Sequence, residues 1–380
     1  MSLASESADL HARVQAFARG APAPGDDFPR LALDIAAFQQ RHSPGFARLV
    51  AARDATLDQV DAIPAVSTDA FRLARVAVHP PEADVVRFAT SGTTATPGTH
   101  PMQTTDTYRL LALTAGEGAL VSAWPGPRVV VALAPRPAAP PTSSLAFMMQ
   151  AFMDRWDGRA LLRDPAGVPF DPRDPHRWLA SAGGVDIDGL RRAARLASER
   201  QEPLLVLGTA FALVSLLDGL GGGRLPVPRR TVVMVTGGFK GRTRELSPSR
   251  LRAALTAALR VPPEQIVGEY GMTELTSQLY EGTLPGARHP GPAGLFQPPP
   301  WLVVSAVDPV SLRPLPPGAV GLARFVDLGN VDSAVAVLTE DLVRVRGDGV
   351  ELLGRRQGAA PRGCSLAFES LVGAAPRGGA

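Results

Sequence analysis

Apolar residues recur at helical spacing in the first sixty residues of the chain. The segments 5–19 (SESADLHARVQAFAR) and 28–42 (FPRLALDIAAFQQRH) place apolar side chains three or four positions apart. This spacing predicts amphipathic helices, and the small polar residues and acidic first turn of the earlier segment are typical of a helix start. We therefore predict a helical N-terminal segment.

Strand and helix patterns alternate between residues 128 and 271. Short β-branched runs bounded by Pro or Gly predict buried strands, and amphipathic segments predict helices between them. The predicted strands lie at 128–135, 203–208 and 231–236 and from 264 onward, and the predicted helices lie at 143–156, 186–200, 209–220 and 247–259. This alternation is typical of an α/β fold with mostly parallel sheets flanked by helices.

The pattern changes after residue 300, where short strand-like runs follow one another with turns between them. These runs lie at 301–308, 321–328, 333–340, 342–347 and 349–355. They predict a small β-rich subdomain that continues into a Gly-rich tail. We therefore predict two domains, an α/β core at residues 1–290 and a β-rich subdomain at residues 291–380.

Composition and charge narrow the class of protein. The chain has 380 residues, of which 45% are hydrophobic and 20% charged, as is typical of a folded globular protein. A net charge of +3 and scattered arginines argue against a nucleic-acid-binding surface. The sequence has neither an apolar run of membrane-spanning length nor a signal-peptide pattern. A single cysteine cannot form an internal disulfide, so we expect a cytoplasmic protein.

The first segment with candidate chemistry is RFATSGTTATPGTH at residues 87–100. A predicted strand end runs into hydroxyl side chains around a glycine. These residues are Thr90, Ser91, Gly92, Thr93 and Thr94. Such a loop turns tightly and offers N–H and O–H donors to phosphate oxygens. It lacks the spaced glycines and the lysine of a P-loop, so an ordinary Ser/Thr turn is the alternative.

The second segment, MVTGGFKGR at 234–242, ends a predicted buried strand with a double glycine. Gly237 and Gly238 would let a flat adenine approach the backbone, and Lys240 and Arg242 suit phosphates or a carboxylate. Of the 39 lysine and arginine residues only Lys240 is a lysine, so we expect it to have a role that arginine cannot fill. The alternative is a turn with solvated cations.

The third segment is GEYGMTELTSQLYE at 268–281. Tyr270 can stack on a base, and Thr273 can hydrogen-bond to a phosphate. Glu274 can bind a divalent cation through a hard oxygen. The alternative is the start of an amphipathic helix with Thr273 as its N-cap.

The fourth segment, 338–366, contains Asp341 between two predicted strands and ends beyond Cys364, the only cysteine. A carboxylate at position 341 can bind both hydroxyls of a ribose, and a turn aspartate is the alternative. Cys364 is either a small buried hydrophobe or a nucleophile activated by nearby arginines such as Arg355.

The four segments occur in the order found in the adenylate-forming enzymes. TSGTT resembles their phosphate loop, YGMTE their nucleotide and magnesium motif, TEDL their ribose-binding segment and GR at 354–355 their hinge. A closer resemblance is to the acyl-protein synthetases of bacterial luciferase operons, the long-chain fatty acid–protein ligases. It covers nearly the whole chain and rests on the ordered set IPAVSTDAFR, SSLAFMM, LLVLGTAFAL, TGGFKGR, EYGMTELTSQLY, PPPWL, DLGNVDSAVAVLTEDL and GAAPRGCSLA.

The resemblance implies a reaction in two steps. ATP and a fatty acid form acyl-AMP, and the acyl group then moves to Cys364 for delivery to an acyl reductase. An acyl-transferase or thioesterase is a further implied partner, and ATP and Mg²⁺ are the implied cofactors. The resemblance assigns Thr273 to the α-phosphate and Glu274 to magnesium. It assigns to the nucleotide Thr90, Ser91, Gly92, Thr93, Thr94, Gly237, Gly238, Tyr270, Gly271, Met272, Asp341 and Arg355.

Two departures from the pattern of the superfamily change this picture. No lysine follows TSGTT, and the 25 residues after Arg355 leave no room for the large C-terminal domain and its catalytic lysine. We hypothesise that Lys240 supplies the missing cation. Two alternatives stay open, an acyl-CoA or aryl-CoA synthetase that uses coenzyme A and a non-catalytic homologue that binds an acyl donor or a partner. The apolar segments SSLAFMMQAFM and GTAFAL fit a long or an aryl acid.

Overall fold

The computed structural model describes residues 2–90, 97–138, 140–157, 177–181, 184–237 and 246–356. The helices are α1 (Leu3–Ala18), α2 (Phe28–His42), α3 (Pro44–Ala52), α4 (Ala70–Leu73), α5 (Asp106–Gly116), α6 (Ser144–Trp156), α7 (Ile187–Glu199), α8 (Ala210–Gly219) and α9 (Pro248–Leu259). A π-helical turn at Glu117–Val121 continues α5, and 3₁₀ turns lie at Val60–Ala62, Pro81–Ala83 and Pro263–Gln265. No helix in these described ranges is both long and apolar enough to cross a membrane.

The strands are short in the first half of the chain and longer near its end. They are β1 (Val66–Ser67), β2 (Val86–Ala89), β3 (Thr99–Met102), β4 (Val129–Leu133), β5 (Ala180–Ser181), β6 (Gly184–Val185), β7 (Leu204–Thr209), β8 (Thr231–Thr236), β9 (Ile266–Tyr270), β10 (Leu279–Glu281), β11 (Leu295–Gln297), β12 (Leu302–Val307), β13 (Val320–Asp327), β14 (Ala336–Arg346) and β15 (Gly349–Arg355).

Side-chain caps fix the starts of the first three helices. Ser2, Asp27 and Ser43 each accept a hydrogen bond from the backbone amide three residues further on. Such a cap satisfies an amide that has no partner within the helix and stabilises the protein by about 1 kcal/mol. The prediction of N-terminal helices is confirmed, and α2 begins and ends at the predicted residues.

The described residues form two compact units, and each unit combines separate parts of the chain. The first unit draws on Met1–Ala112, Met272–Gln278 and Pro298–Ala380, and the second unit on Leu113–Gly271 and Leu279–Gln297. This grouping differs from the predicted division at residue 290, because the N-terminal helices bond to C-terminal segments within the first unit. His11 of α1 bonds to Asp332, and Gln39 of α2 donates to the Asn330 carbonyl.

The second unit contains the parallel strands. β4, β7, β8 and β9 are parallel neighbours in that order, and β10 and β11 follow in antiparallel pairing. Buried strand residues such as Val206 and Val233 belong to one core with Leu190 of α7, Leu213 of α8 and Leu255 of α9. The predicted α/β arrangement is confirmed here. Open sheets of this type bind ligands at the carboxyl ends of their strands.

The first unit contains an antiparallel sheet formed by β12, β13, β14 and β15, with β1 parallel to β14. β2 and β3 form a separate hairpin. The predicted strands at 333–340 and 342–347 are one continuous strand, β14, because β13 pairs with both halves of it. Asp341 therefore lies within a strand and not in a turn between two strands.

Candidate active site

Thr90 lies at the entrance of the first candidate loop, in the first unit. Its amide donates to the Gly98 carbonyl at 2.9 Å, and its hydroxyl oxygen accepts from the Gly98 amide at 2.9 Å. These two bonds close the chain between β2 and β3. The other four predicted residues of the loop, Ser91, Gly92, Thr93 and Thr94, fall outside the described residues, so their assignment stays a prediction.

The turn at Met272–Leu275 presents Thr273 and Glu274 at its two corners. The amide of its last residue donates to the carbonyl of its first residue at 3.2 Å, which is the closing bond of a β-turn. No regular helix follows before β10, so the alternative of a helix start at Thr273 is wrong. The Thr273 hydroxyl lies 3.5 Å from the carbonyl oxygen of Ala89. The turn therefore packs beside the entrance of the Thr90 loop.

The Glu274 side chain is buried although it is a carboxylic acid. Burial raises the pKa of Glu274 to about 7, because an ionised carboxylate loses its hydration. A hydrogen bond from its own amide and the charge of Arg355 oppose this shift of the pKa, and the charges of Asp341 and Asp69 add to it. A bound divalent cation would reverse the balance and favour the ionised carboxylate.

Asp341 and Arg355 face each other across β14 and β15. The Arg355 Nε donates to Asp341 Oδ1 at 3.1 Å, and the register of the two strands shifts between Asp341 and Val343. The Asp341 side chain is 17% exposed, whereas the Arg355 side chain is 76% exposed. A bulge redirects a side chain without ending the strand, and bulges are frequent beside active sites. Asp341, the residue predicted to bind the ribose, thus lies at an irregularity of the sheet. It is near enough to Glu274 for the charges of the two side chains to interact.

Asp327 holds the residues that follow the turn. Its Oδ2 accepts from the backbone amides of Thr276 at 2.9 Å and Ser277 at 3.0 Å. Its Oδ1 accepts from the Ser277 hydroxyl at 2.7 Å and from the Gly329 amide at 2.9 Å. Burial raises the pKa of Asp327 to about 6, and the four donors favour its ionised form.

His100 and Asn330 bond to two successive carbonyl groups of the turn. His100 Nδ1 lies 2.8 Å from the Thr273 carbonyl oxygen, and its Nε2 lies 2.8 Å from the Ser333 hydroxyl. Because a carbonyl oxygen only accepts, Nδ1 carries the proton and Nε2 accepts from Ser333. Burial lowers the pKa of His100 to about 4, so the ring is neutral at pH 7. Asn330 Nδ2 donates to the Glu274 carbonyl at 2.9 Å.

A small cavity lies next to these two side chains in the first unit. Its volume is about 20 Å³, and its lining includes His100, Asn330, Ser333 and Asp332. The volume and the polar lining fit one buried water molecule. The cavity is too small for a nucleotide or a carboxylic acid substrate. Its lining includes the two side chains that bond to the Met272–Leu275 turn, so we assign it to the structure that supports this turn.

In the second unit, Gly237 and Tyr270 lie at the carboxyl ends of neighbouring strands. β8 ends at Thr236, which is opposite Glu269 in the register of β9. The Thr236 hydroxyl donates to the Glu269 carboxylate, and burial raises the pKa of Glu269 to about 7. Gly237 has a φ of 69°, which favours glycine, and no described atom lies within 4 Å of a Cβ built there. Among the described residues, none approaches this Cβ position, and the predicted place of Gly237 beside an adenine stays a prediction.

Several predicted residues are not within the described ranges. These are Gly238, Lys240 and Cys364, in addition to the four loop residues named above. Gly271 and Met272 connect β9 to the turn. Within the described ranges, no group of three or more His, Cys, Asp or Glu side chains could hold a metal ion. Mg²⁺ often uses only one or two carboxylates together with substrate phosphates, so a single ligand such as Glu274 fits this cation.

The residues that hold the turn were not predicted from the sequence. His100, Asp327 and Asn330 contact residues far away in the chain, so no local pattern reveals their partners. The one available signal is that Asn330 is the only asparagine in the chain.

No family model matches this chain. Part of it is 31% identical over 124 residues to the long-chain-fatty-acid–luciferin-component ligase of Vibrio harveyi, which covers 31% of this chain and 30% of that ligase. A second part-length match, 28% identical over 83 residues, is to the ligase of the same name from Aliivibrio fischeri and covers 20% of this chain and 22% of that ligase. The chain therefore covers less than a third of these curated relatives. The predicted resemblance to fatty-acid ligases is confirmed.

Two solved structures of a 2-hydroxyisobutyryl-CoA ligase share the fold. The open conformation, in complex with 2-HIB-AMP and CoA, has a TM-score of 0.58 over 87% of this chain and 75% of that chain. The postadenylation state with R3-HIB-AMP has a TM-score of 0.60 over 86% and 67%. Identity is 14% in both cases, so the likeness concerns the fold alone. The predicted adenylate-forming-enzyme fold is confirmed.

Proposed function

We propose that this protein is a ligase that activates a carboxylic acid, with long-chain fatty acids as the favoured class, by forming acyl-AMP from ATP. An oxygen of the carboxylate attacks the α-phosphorus. The bond between that phosphorus and the bridging oxygen breaks, and pyrophosphate leaves with the electron pair. The names of the curated relatives support the reaction and the class of acid.

The Met272–Leu275 turn is the observation that carries this proposal. It brings the Thr273 hydroxyl and the buried Glu274 carboxylate to the entrance of the Thr90 loop. Attack at the α-phosphorus accumulates negative charge, and donors and cations fixed in place lower such a barrier. Thr273 would supply a donor, and Glu274 would supply the oxygen ligand for a cation.

Magnesium is the cation that suits this carboxylate. Glu274 offers a hard oxygen, and Asp341 and Asp69 add negative potential around it. We propose that Glu274 holds the ion together with the phosphates of ATP. When bound, Mg²⁺ neutralises phosphate charge and polarises the phosphoryl oxygens.

The nucleotide would be held by residues from the four predicted segments. Asp341 accepts a bond from Arg355, and its carboxylate would also accept bonds from the ribose hydroxyls. We further propose Lys240 as the cation beside the carboxylate or the α-phosphate. The remaining proposed contacts are Thr90, Ser91, Gly92, Thr93 and Thr94 for the phosphates, and Gly237, Gly238, Tyr270, Gly271 and Met272 for the base.

For the second step we propose Cys364 as the acyl acceptor. Its thiolate would attack the acyl carbon and form a thioester, and AMP would leave with the electron pair of the broken bond to the acyl carbon. The thiol proton would pass to solvent. A thioester suits an acyl reductase as the next enzyme, because reduction at the acyl carbon yields an aldehyde and restores the thiol.

The first experiment is ATP–pyrophosphate exchange with a series of fatty and aryl acids in the presence of Mg²⁺. We expect exchange that depends on the acid and is fastest with a long chain. Glu274→Gln should slow it by about 100-fold. Glu264→Gln, which changes an exposed glutamate in the same way, should not slow it. If the wild-type protein shows no ATP–pyrophosphate exchange with any acid of the series, the proposal is refuted and a non-catalytic binding role is favoured.

The acceptor is tested separately by intact-protein mass spectrometry after incubation with ATP, Mg²⁺ and the best acid. We expect an acyl adduct that hydroxylamine removes, present in the wild type and missing in Cys364→Ser. Exchange activity without an adduct, together with acid turnover that requires added coenzyme A, would instead assign coenzyme A as the acceptor.

A further inference from the structure

The peptide group between Thr273 and Glu274 is the central peptide of the Met272–Leu275 turn. Its carbonyl oxygen lies 2.8 Å from His100 Nδ1, which donates to it. Its amide belongs to Glu274 and lies close enough to the carboxylate of the same residue to lower the pKa of that carboxylate. The orientation of this one peptide therefore governs both a contact to His100 and the placement of the Glu274 side chain.

A β-turn has two common forms that differ by a flip of this central peptide. In the flipped form the residue at the second corner needs a positive φ, which glycine adopts easily and glutamate does not. Glu274 is not among the described residues with positive φ. The steric cost alone disfavours the flipped form by a factor of only about 5 to 30. Steric preference alone therefore holds this peptide only weakly in its observed orientation.

The His100 hydrogen bond also stabilises the observed orientation of this peptide. Without a donor, the partly buried Thr273 carbonyl would be unsatisfied, which disfavours the observed form by a factor of up to about 150. That factor is comparable to the steric preference and opposes it. Both forms would then be populated, and the Glu274 amide would point away from its carboxylate in one of them.

His100 is well fixed for this purpose. The side chain is 2% exposed, and the Ser333 hydroxyl donates to Nε2 at 2.8 Å. The edge of its ring meets Phe71, with 5.6 Å between the ring centroids. A ring held on both nitrogens and on one edge cannot rotate away from the Thr273 carbonyl without losing these contacts.

We propose that His100 is a positioning residue for acyl-adenylate formation, which acts by holding the central peptide of the turn in one of its two orientations. This inference rests on the proposed function. His100 touches neither nucleotide nor acid in this mechanism. Asn330 assists it, because its donation to the Glu274 carbonyl fixes the next peptide group.

Two substitutions separate the two nitrogens of the ring. The amide nitrogen of asparagine can occupy the place of Nδ1, so His100→Asn keeps the donor to Thr273 and loses the contact with Ser333. The longer glutamine places its amide near Nε2, so His100→Gln keeps Ser333 and loses Thr273. Each variant loses one of the two bonds of a buried imidazole, so a purely structural role would affect both alike.

We expect pyrophosphate exchange in His100→Asn within about 5-fold of the wild type. His100→Gln should be about 2- to 30-fold slower in kcat than His100→Asn, while the KM for ATP changes less than 3-fold. His79 supplies the matched control, because it is also 2% exposed and bonds to Asp84 and not to the turn. His79→Asn and His79→Gln should exchange at equal rates. Equal losses in the two His100 variants, in proportion to their loss of thermal stability, would overturn the proposal.

Amide hydrogen–deuterium exchange gives a readout that needs no turnover. In the wild type and in His100→Asn, the peptide that contains residues 272–278 should be protected to the same degree. In His100→Gln it should exchange at least 5-fold faster, while peptides from β7 and β8 stay unchanged. If the wild type shows no pyrophosphate exchange, the proposed function fails, and the hold of His100 on the turn is then decided by this measurement. Equal protection in all three proteins would overturn it.

Discussion

Replacing Asn330 by leucine removes an amide that joins two separate segments of the first unit. Asn330 Nδ2 donates to the carbonyl groups of Glu274 and Ala334, both at 2.9 Å, and its Oδ1 accepts from the Thr276 hydroxyl at 2.6 Å. The side chain is 1% exposed, so bulk solvent does not reach these bonds. Leucine has a similar shape and makes none of them.

The expected magnitude follows from the groups that are left behind. Two buried carbonyls and one hydroxyl lose their partner, at about 1 to 3 kcal/mol each. Burial of the leucine side chain offsets about 2 kcal/mol of this loss. The Thr276 hydroxyl can also rotate toward another acceptor, which favours the lower half of the range. We therefore expect Asn330→Leu to reduce the free energy of unfolding by about 1 to 4 kcal/mol.

Urea denaturation followed by circular dichroism measures this loss, and a double-mutant cycle assigns it. Thr276→Val removes one of the three bonds from the other side, so the double variant should lose about 1 kcal/mol less than the sum of the single losses. Thr231→Val is the matched control. Its hydroxyl is equally buried and donates to the Pro228 carbonyl at 2.6 Å in the second unit, so it should be additive with Asn330→Leu.

A loss below about 1 kcal/mol for Asn330→Leu would refute the reasoning, because three orphaned groups could not then be buried. Additivity between Asn330→Leu and Thr276→Val would contradict the assigned contact between the two side chains.

Three further predictions follow from the structure. Burial raises the folded-state pKa of Glu269 from 4.5 to about 7, so the stability that its protonated form contributes is complete below about pH 4.5 and falls by about 3 kcal/mol by pH 7. The difference in urea midpoint between the wild type and Glu269→Gln should therefore change over this pH range, and parallel pH curves would contradict it. Gly268→Ala should lower the free energy of unfolding by about 1 to 3 kcal/mol, because the new Cβ would lie 2.8 Å from the carboxyl carbon of Glu281. An unchanged melting temperature would disprove this. Asp341→Asn should raise the KM for ATP about 10-fold, whereas exposed Asp348→Asn should not, and equal KM values would remove Asp341 from the ribose site.

The sequence is a good guide where local periodicity decides the structure. The strand at 231–236 and the helix at 28–42 are observed at the predicted residues, because an apolar run or an amphipathic repeat is a property of the segment itself. The segment after Thr273 looks like a helix start by the same local rules. It is a turn because Asp327 and Asn330 bond to its amides and a carbonyl from more than 50 residues away.

Asp341 shows the same limit for a candidate site residue. The sequence identifies Asp341 as a candidate site residue, but it does not predict the strand pairing that surrounds this residue. The sequence predicts a break at this position, whereas pairing with β13 keeps the strand continuous and a register shift against β15 redirects the side chain. Tertiary pairing, which is encoded in other strands, overrides the local pattern.

The discontinuous make-up of the first unit has a consequence during synthesis on the ribosome. β1 pairs with β14, with Val66 opposite Val337, so 271 residues must be added after one partner before the other exists. At translation rates of roughly 5 to 20 residues per second, this takes about 15 to 50 s. The last described strand of the second unit ends at Gln297, so that unit can close first.

During this interval α1 and α2 lack their hydrogen-bond partners in the loop between β13 and β14, which include Asp332 and Asn330. We therefore expect the nascent chain to bind a chaperone that covers the apolar faces of amphipathic helices. Slow translation through residues 298–346 would lengthen this interval. We expect a truncated product that ends before β14 to aggregate.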